Sequence, residues 1–389
     1  MVVEDLRRET VGERTELSGR LRVDSAVEAP ERIWFRFPPD LANGEVDGSP
    51  FLPGLLLAAM CLREDLRIDA PVSERLLAGA EQAQLVMRTW WPKLGTARVE
   101  AEPARLPGGG ESRATLFTRG ADSWHTVLNE SVDVLLYSAA ADFVWGRRDS
   151  GPEETMRARA SVVALHRACA ERRGRRLVVV DTNLRHFVEP LRNWGFSHGG
   201  ILAACGLAVG SGIRELRIPS SLTYGNLTQL GTHPLLDPCW STERTVVIHD
   251  APEVRRIKKL IGVAADRNAF ENLLVCNGPD PRLNCCRCGM CLSTMVQLEA
   301  IGVLDRAVTF PAPLRARDVA RLRTTSRLSR RATWLHIEEV LSYGGRASLA
   351  AALEVGLLRY HTGRLARLAY RIARAAVRRR GRGWPRPRS

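Results

Sequence analysis

Lysine is almost missing from this 389-residue sequence: Lys93, Lys258 and Lys259 stand against 54 arginines. A ratio so lopsided reads as a codon habit rather than a recognition device. Also missing is any uncharged apolar run of the roughly 20 residues that a membrane-spanning helix takes. The opening MVVEDLRRET carries charge where a secretory leader has its apolar core, so no signal peptide is expected. Acids are absent from Arg359 to Ser389, a stretch holding eleven arginines. Most of the formal charge of +14 therefore belongs to that tail and says little about the fold. The length leaves room for two or three domains with a large core.

Cysteine is present and unevenly placed. Cys61, Cys169, Cys205 and Cys239 are scattered and read as small buried apolar residues. The other five fall in CNGPDPRLNCCRCGMC, where Cys276, Cys285, Cys288 and Cys291 are spaced C-x8-C-x2-C-x2-C. Two CxxC steps that share a cysteine, with a fourth one short loop away, can bring four thiolates to one tetrahedral ion. Zinc prefers such a set, and a closed four-thiolate site is structural rather than catalytic. A metal-free buried cluster and an iron–sulfur centre are the rival readings. Gly278, Asn284 and Gly289 supply turn residues, while Cys286 breaks the rhythm and reads as a bystander. Thiolate ligands without a leader predict a reducing, cytoplasmic setting.

Residues 1–108 read as a small N-terminal α+β domain. Arg32–Phe37 alternates like a strand, Phe51 to Leu62 is an apolar helix, Ser73 caps a further helix, and Arg98–Ala101 is a short strand. The Pro107-Gly-Gly-Gly segment marks a joint. Beyond it strands and helices alternate. Strands are predicted near Ala114–Phe117, Val132–Tyr137, Arg176–Asp181, Glu215–Pro219 and Thr245–His249. Helices are predicted from about Ser123, from Pro152 to about Arg173, from Gly199 to Gly210 and from Pro252 to Val263. Such alternation predicts an α/β fold with a doubly wound parallel sheet over residues 109–310, followed by a helical extension over 311–389. In these sheets ligands dock beyond the carboxyl ends of the strands, at the switch point in strand order.

The first strand-to-helix turn reads Leu116-Phe-Thr-Arg-Gly-Ala-Asp-Ser-Trp-His. Small residues there let phosphates approach the backbone, and the amides that open the helix point at them with the helix dipole behind. The Ser123 hydroxyl can serve a phosphate oxygen; Asp122 can cap the helix or help place magnesium. This segment resembles the Ser-Gly-Gly-x-Asp-Ser loop of the PP-loop ATP pyrophosphatase superfamily. The cysteine spacing is similar to the zinc knuckle of the 7-cyano-7-deazaguanine synthase-like members. Thr182–Phe187, Trp194–Gly200, Gly231–Ser241 and His249–Arg256 add to the likeness, which spans about residues 30–310.

The resemblance implies a HUP-like nucleotide domain that binds ATP and Mg2+, cleaves ATP to AMP and pyrophosphate, and adenylates a small-molecule carboxylate or carbonyl for nitrogen transfer. It assigns the pyrophosphate to Thr118, Gly120, Asp122 and Ser123, and Zn2+ to the four cysteines. The chain departs from the motif at Arg119, which stands where the family has a glycine. A left-handed backbone there would cost about 1–2 kcal/mol, while the guanidinium could add a cation to the phosphate site. A loop disabled by Arg119 would leave a non-hydrolysing nucleotide- or ligand-binding scaffold; a tRNA-modifying enzyme is the third reading.

On the substrate side, Asn183 and Arg185 follow the third strand at its carboxyl end, and Arg185 could grip a carboxylate or form a surface salt bridge. His198 could orient a nucleophile or sit satisfied in the core. His233 and Asp237 lie in a Pro-bracketed loop suited to a pocket wall. His249 and Asp250 end the fifth strand, and Arg255 and Lys259 lie a turn apart beyond it. His125 reads as facing solvent. The tail sets Leu365, Leu368, Ile372 and Ala376 beside an arginine stripe, an amphipathic pattern open to solvent, to an anionic membrane surface or to RNA. Its few aromatics make RNA the least favoured of the three. A homodimer stays open.

Overall fold

The computed structural model describes residues 1–41, 46–108, 110–138, 152–276, 278, 280–322 and 327–359. The arginine-rich tail, with the partner expectations attached to it, lies outside them. The chain opens on two charge-dense strands, β1 (Val2–Val11) and β2 (Arg14–Arg22), which turn at Gly12 with φ +62°. In β3 (Arg32–Phe37) Ile33, Phe35 and Phe37 are buried in alternation, as period-2 patterning requires. Next come α1 (Phe51–Leu62), β4 (Leu66–Ser73), α2 (Glu74–Trp90) and β5 (Val99–Ala104). The Ser73 hydroxyl caps α2 by accepting the Leu76 N–H at 3.0 Å, as its sequence predicts.

The alternating region follows: β6 (Ser112–Leu116), α3 (Ala121–Asn129), β7 (Val134–Ser138), α4 (Pro152–Glu171), β8 (Arg176–Thr182), α5 (Leu184–Leu191) and α6 (Trp194–Ala208). It continues with β9 (Ile213–Pro219), β10 (Val246–Asp250), α7 (Arg256–Ala265) and α8 (Arg267–Glu271). Then come α9 (Gly289–Ala300), α10 (Ala316–Val319) and α11 (Arg327–Tyr343), with helical backbone again over 347–359.

The ten strands of the described residues join one sheet in the order β10-β9-β6-β7-β8-β3-β2-β1-β4-β5. The chain is α/β with a mostly parallel sheet. Its antiparallel joints are β8–β3, β3–β2 and β2–β1. Counted from β6, the five parallel strands lie in the order 5-4-1-2-3, so strand order reverses beside β6. In open α/β sheets ligands dock beside such a reversal, beyond the carboxyl ends of the strands. Residues of β7 are buried on both faces, the near-continuous apolar run that a covered parallel strand needs.

The expected division at residue 108 differs from the structure. Phe35 pairs with Thr182 and Arg36 with Asp181 across the β3–β8 joint, so the N-terminal strands extend the same sheet. The compact units are Met1–Leu283 and Asn284–Ser389, and no unit ends at 108 or 310. Helix α1 is apolar on every side because it is covered on every side; Phe51 to Met60 are all buried. It meets α6 so closely that a Cβ on Gly200 would stand 2.2 Å from the Pro53 carbonyl oxygen.

Buried His166 on α4 makes the first unit sensitive to acid. Its Nδ1 lies 2.8 Å from the Val162 carbonyl and its ring packs on Tyr137 and Phe117. Burial, with Arg119 nearby, pushes the imidazole down to about 3. The folded state thus holds it neutral, and that advantage is complete above the unfolded value near 6.5 and shrinks as pH falls toward the folded value. We expect about 2 kcal/mol of stability from this group to be lost between pH 6.5 and pH 5. Urea midpoints at the two pH values check this, and His166→Phe should flatten the difference.

Candidate functional site

The loop at the switch point is built around two residues with opposed demands. Arg119 adopts φ +60°, the left-handed backbone that its glycine counterpart would take freely. Its side chain turns inward and is 1% exposed, with an amino nitrogen donating to the Pro281 carbonyl at 2.6 Å. The Arg119 carbonyl accepts the Leu274 N–H at 3.0 Å. The guanidinium is therefore tied to Pro281 rather than presented to solvent at the head of α3. Gly120 follows as the N-cap of α3, and the first amides of that helix have no carbonyl within the helix to bond. The Ser123 hydroxyl donates to the Gly120 carbonyl at 3.1 Å and accepts the Thr118 N–H at 3.3 Å, which holds the loop in shape. Trp124 and Phe117, packed edge to face at 4.9 Å, fix the helix onto β6.

Arg119→Gly is expected to destabilise the protein by about 1–3 kcal/mol, despite relief of the left-handed backbone, because a charge-assisted bond and a buried side chain are lost. Denaturant midpoints of the two chains read the difference.

Asp122, in the first turn of α3, is held by two cations from α7. One Oδ accepts an Arg256 N–H at 2.9 Å, and the other lies 3.5 Å from the Lys259 ammonium. Lys259 is 2% exposed and also donates to the carbonyl (2.6 Å) and hydroxyl (3.1 Å) of Ser220, just past the end of β9. Asp122 thus meets two cations at the head of α3, where the helix dipole also attracts anions. Asp250, ending β10, binds the Thr126 hydroxyl at 2.5 Å and Arg217 at 2.5 Å, and so fastens α3 to the outer strands. His125 is half-buried, contrary to the solvent-facing expectation; burial first and Lys259 second lower its pKa.

The residues expected on the substrate side are mostly committed to structure. Asn183 accepts the Trp34 N–H (3.1 Å) and donates to the Arg32 carbonyl (2.8 Å), continuing the β8–β3 joint. Arg185 pairs with Glu189 at 2.6 Å and stacks over Trp194, the salt-bridge alternative. His198 bridges the Trp194 carbonyl and the Thr232 hydroxyl, and burial lowers its pKa to about 4. His233 accepts the Leu235 N–H and meets the edge of Trp90; burial, then His249, lower it to about 4. Asp237 is fully buried, 2.6 Å from His249 Nδ1. Arg255 supplies the N-cap residue of α7, and its neighbour Arg256 reaches the loop instead. Sequence reasoning therefore missed Arg256 and Ser220. Arg256 and Lys259 are three apart on a helix, which is a legible signal; Ser220 leaves none.

The four cysteines do come together. The Sγ atoms of Cys276, Cys285, Cys288 and Cys291 lie within 4.8 Å of one another. Cys285 and Cys291 are 3.7 Å apart, close to the edge of about 3.8 Å in a zinc–thiolate tetrahedron. Amide hydrogens of Cys288 and Cys291 point at the sulfurs of Cys285 and Cys288, each at 3.4 Å. Cys288 also caps α9. The donor set is compatible with zinc. Cys286, at φ +56°, turns its thiol to the Asn284 carbonyl, and burial followed by the neighbouring sulfurs raises its pKa. Among the described residues no helix is long and apolar enough to cross a membrane. Comparison with protein-family models, curated proteins and solved structures finds no match in any of the three.

Proposed function

We propose that this chain binds the phosphates of ATP at the head of α3 and adenylates a small-molecule carboxylate or carbonyl for nitrogen transfer. The single observation that carries the reading is the convergence of Arg256 and buried Lys259 on Asp122, at the switch point of the parallel sheet. The resemblance to the pyrophosphate-loop enzymes, and to their HUP-like domain, supports it. Thr118, Gly120, Asp122 and Ser123 would hold the pyrophosphate and Mg2+, and bound ATP supplies the adenylyl group. The α3 amides stabilise the charge that grows on the departing pyrophosphate, without reorganising to do so. Arg256 and Lys259 would pair with phosphate oxygens, and Asp122 would be the residue that holds Mg2+. Zinc in the cysteine knuckle has a structural role.

A second reading, a scaffold that binds nucleotide without turnover, is favoured by one observation: Arg119 is buried and tied to Pro281 rather than presented to solvent at the head of α3. Pyrophosphate release across a library of small carboxylates and carbonyls separates the two. The enzyme reading expects release from some substrate, lowered about 100-fold or more in Asp122→Ala. Saturable ATP binding with no release across the library selects the scaffold. Equal silence of both chains, with no ATP binding, refutes both.

A further inference from the structure

The positive charge of this protein is partitioned far more sharply than its tail suggests. Residues 284–389 contain 21 arginines, no lysine and six acids, a formal +15, whereas residues 1–283 together come to −1. Eleven of those arginines precede residue 360. Within this unit lies a cavity of about 740 Å3 lined by Arg287, Arg315 and Arg321, with Asp318 as the only carboxylate among the described lining residues, and with Cys285 of the knuckle and Gly289, at the head of α9, on its wall. Arg287 and Arg315 are exposed, and Arg321 stands 3.9 Å from Asp318 with its side chain 74% exposed. Arg359 donates to the Ala320 carbonyl at 2.9 Å, so the helical backbone of 347–359 ends beside Arg321. The chain then runs on into ten further arginines without an acid.

We propose that the unit from Asn284 onward binds the phosphodiester backbone of a polynucleotide, with phosphates seated among Arg287, Arg315 and Arg321. Guanidinium groups pair with phosphate oxygens bidentately and carry no base preference of their own. Three of them around one concavity match a repeating anion better than a single phosphate. A strand can seat successive phosphates along such a concavity, whereas a flat anionic bilayer meets mainly its rim. This inference does not rest on the nucleotide site at α3.

The test is fluorescence anisotropy of the full-length protein with a mixed-sequence single-stranded RNA and a DNA of equal length, across a salt series. Binding should weaken linearly in log–log form. The triple variant Arg287→Gln, Arg315→Gln, Arg321→Gln should reduce the slope by about 2, at about 0.7 per lost phosphate contact. Arg315→Glu alone, at an exposed position, gives a second variant should the triple one fold poorly, and should weaken binding several-fold. Retention of either polynucleotide with these losses supports the proposal. It is overturned by no retention of RNA or DNA at low salt, by slopes that the variants leave unchanged, or by binding confined to phosphatidylserine vesicles.

Discussion

A Cys288→Ser chain is expected to hold no zinc, against about one ion per chain in the parent. It should unfold with a loss of at least ~3 kcal/mol, roughly 10 °C or more in midpoint. The substitution isolates the metal. Cys288 Sγ accepts the Cys291 N–H at the start of α9, and a serine hydroxyl accepts that bond as well or better, so the helix cap survives. What serine removes is one of four thiolates within 4.8 Å of one another. Metal content by mass spectrometry and thermal scans read both effects. Chelator treatment of the parent should reproduce the lower midpoint. An unchanged midpoint with the metal gone would mean that the knuckle closes on its own packing.

Lys259→Met carries the second large effect. The ammonium is buried and meets Asp122 and both oxygens of Ser220, so its loss strands a carboxylate and a carbonyl that have little water to turn to. Arg256 remains on Asp122, which moderates the penalty. We expect about 2–4 kcal/mol of lost stability, and nucleotide affinity weaker by about 2 kcal/mol or more. Denaturant titration and calorimetry measure the two separately. A variant as stable as the parent that still binds ATP equally well would remove Lys259 from the site.

Much of this architecture could be read from residues alone, and the exceptions have physical causes. The run Arg176-Leu-Val-Val-Val-Asp announces a covered parallel strand, and its neighbours fall where that rhythm places them. The cysteine cluster was legible because two CxxC steps that share a cysteine, with a fourth one short loop away, can bring four sulfurs to one point. The β1–β2 hairpin was not, because charged residues such as Glu4, Asp5, Arg7 and Arg8 blur its alternation. A joint between β3 and β8 links segments about 150 residues apart and leaves no local mark, which is why residues 1–108 looked separable. Asn183 stands at a strand end where ligands dock, yet its amide completes that same joint. Arg255 and Arg256 are indistinguishable by type; only the phase of α7, set by its packing beside α3, decides which one faces Asp122. The charge of the last unit was credited to the tail because no feature of composition shows where the compact units divide.

The central claim is that the head of α3, with Arg256 and Lys259 above it, receives the phosphates of a nucleotide. Calorimetric titration of the protein with a non-hydrolysable ATP analogue and magnesium tests it most directly. Saturable binding to one site is expected, displaced by pyrophosphate and weakened about 30-fold or more in Lys259→Met. No binding, or binding that pyrophosphate and Lys259→Met leave untouched, would contradict it.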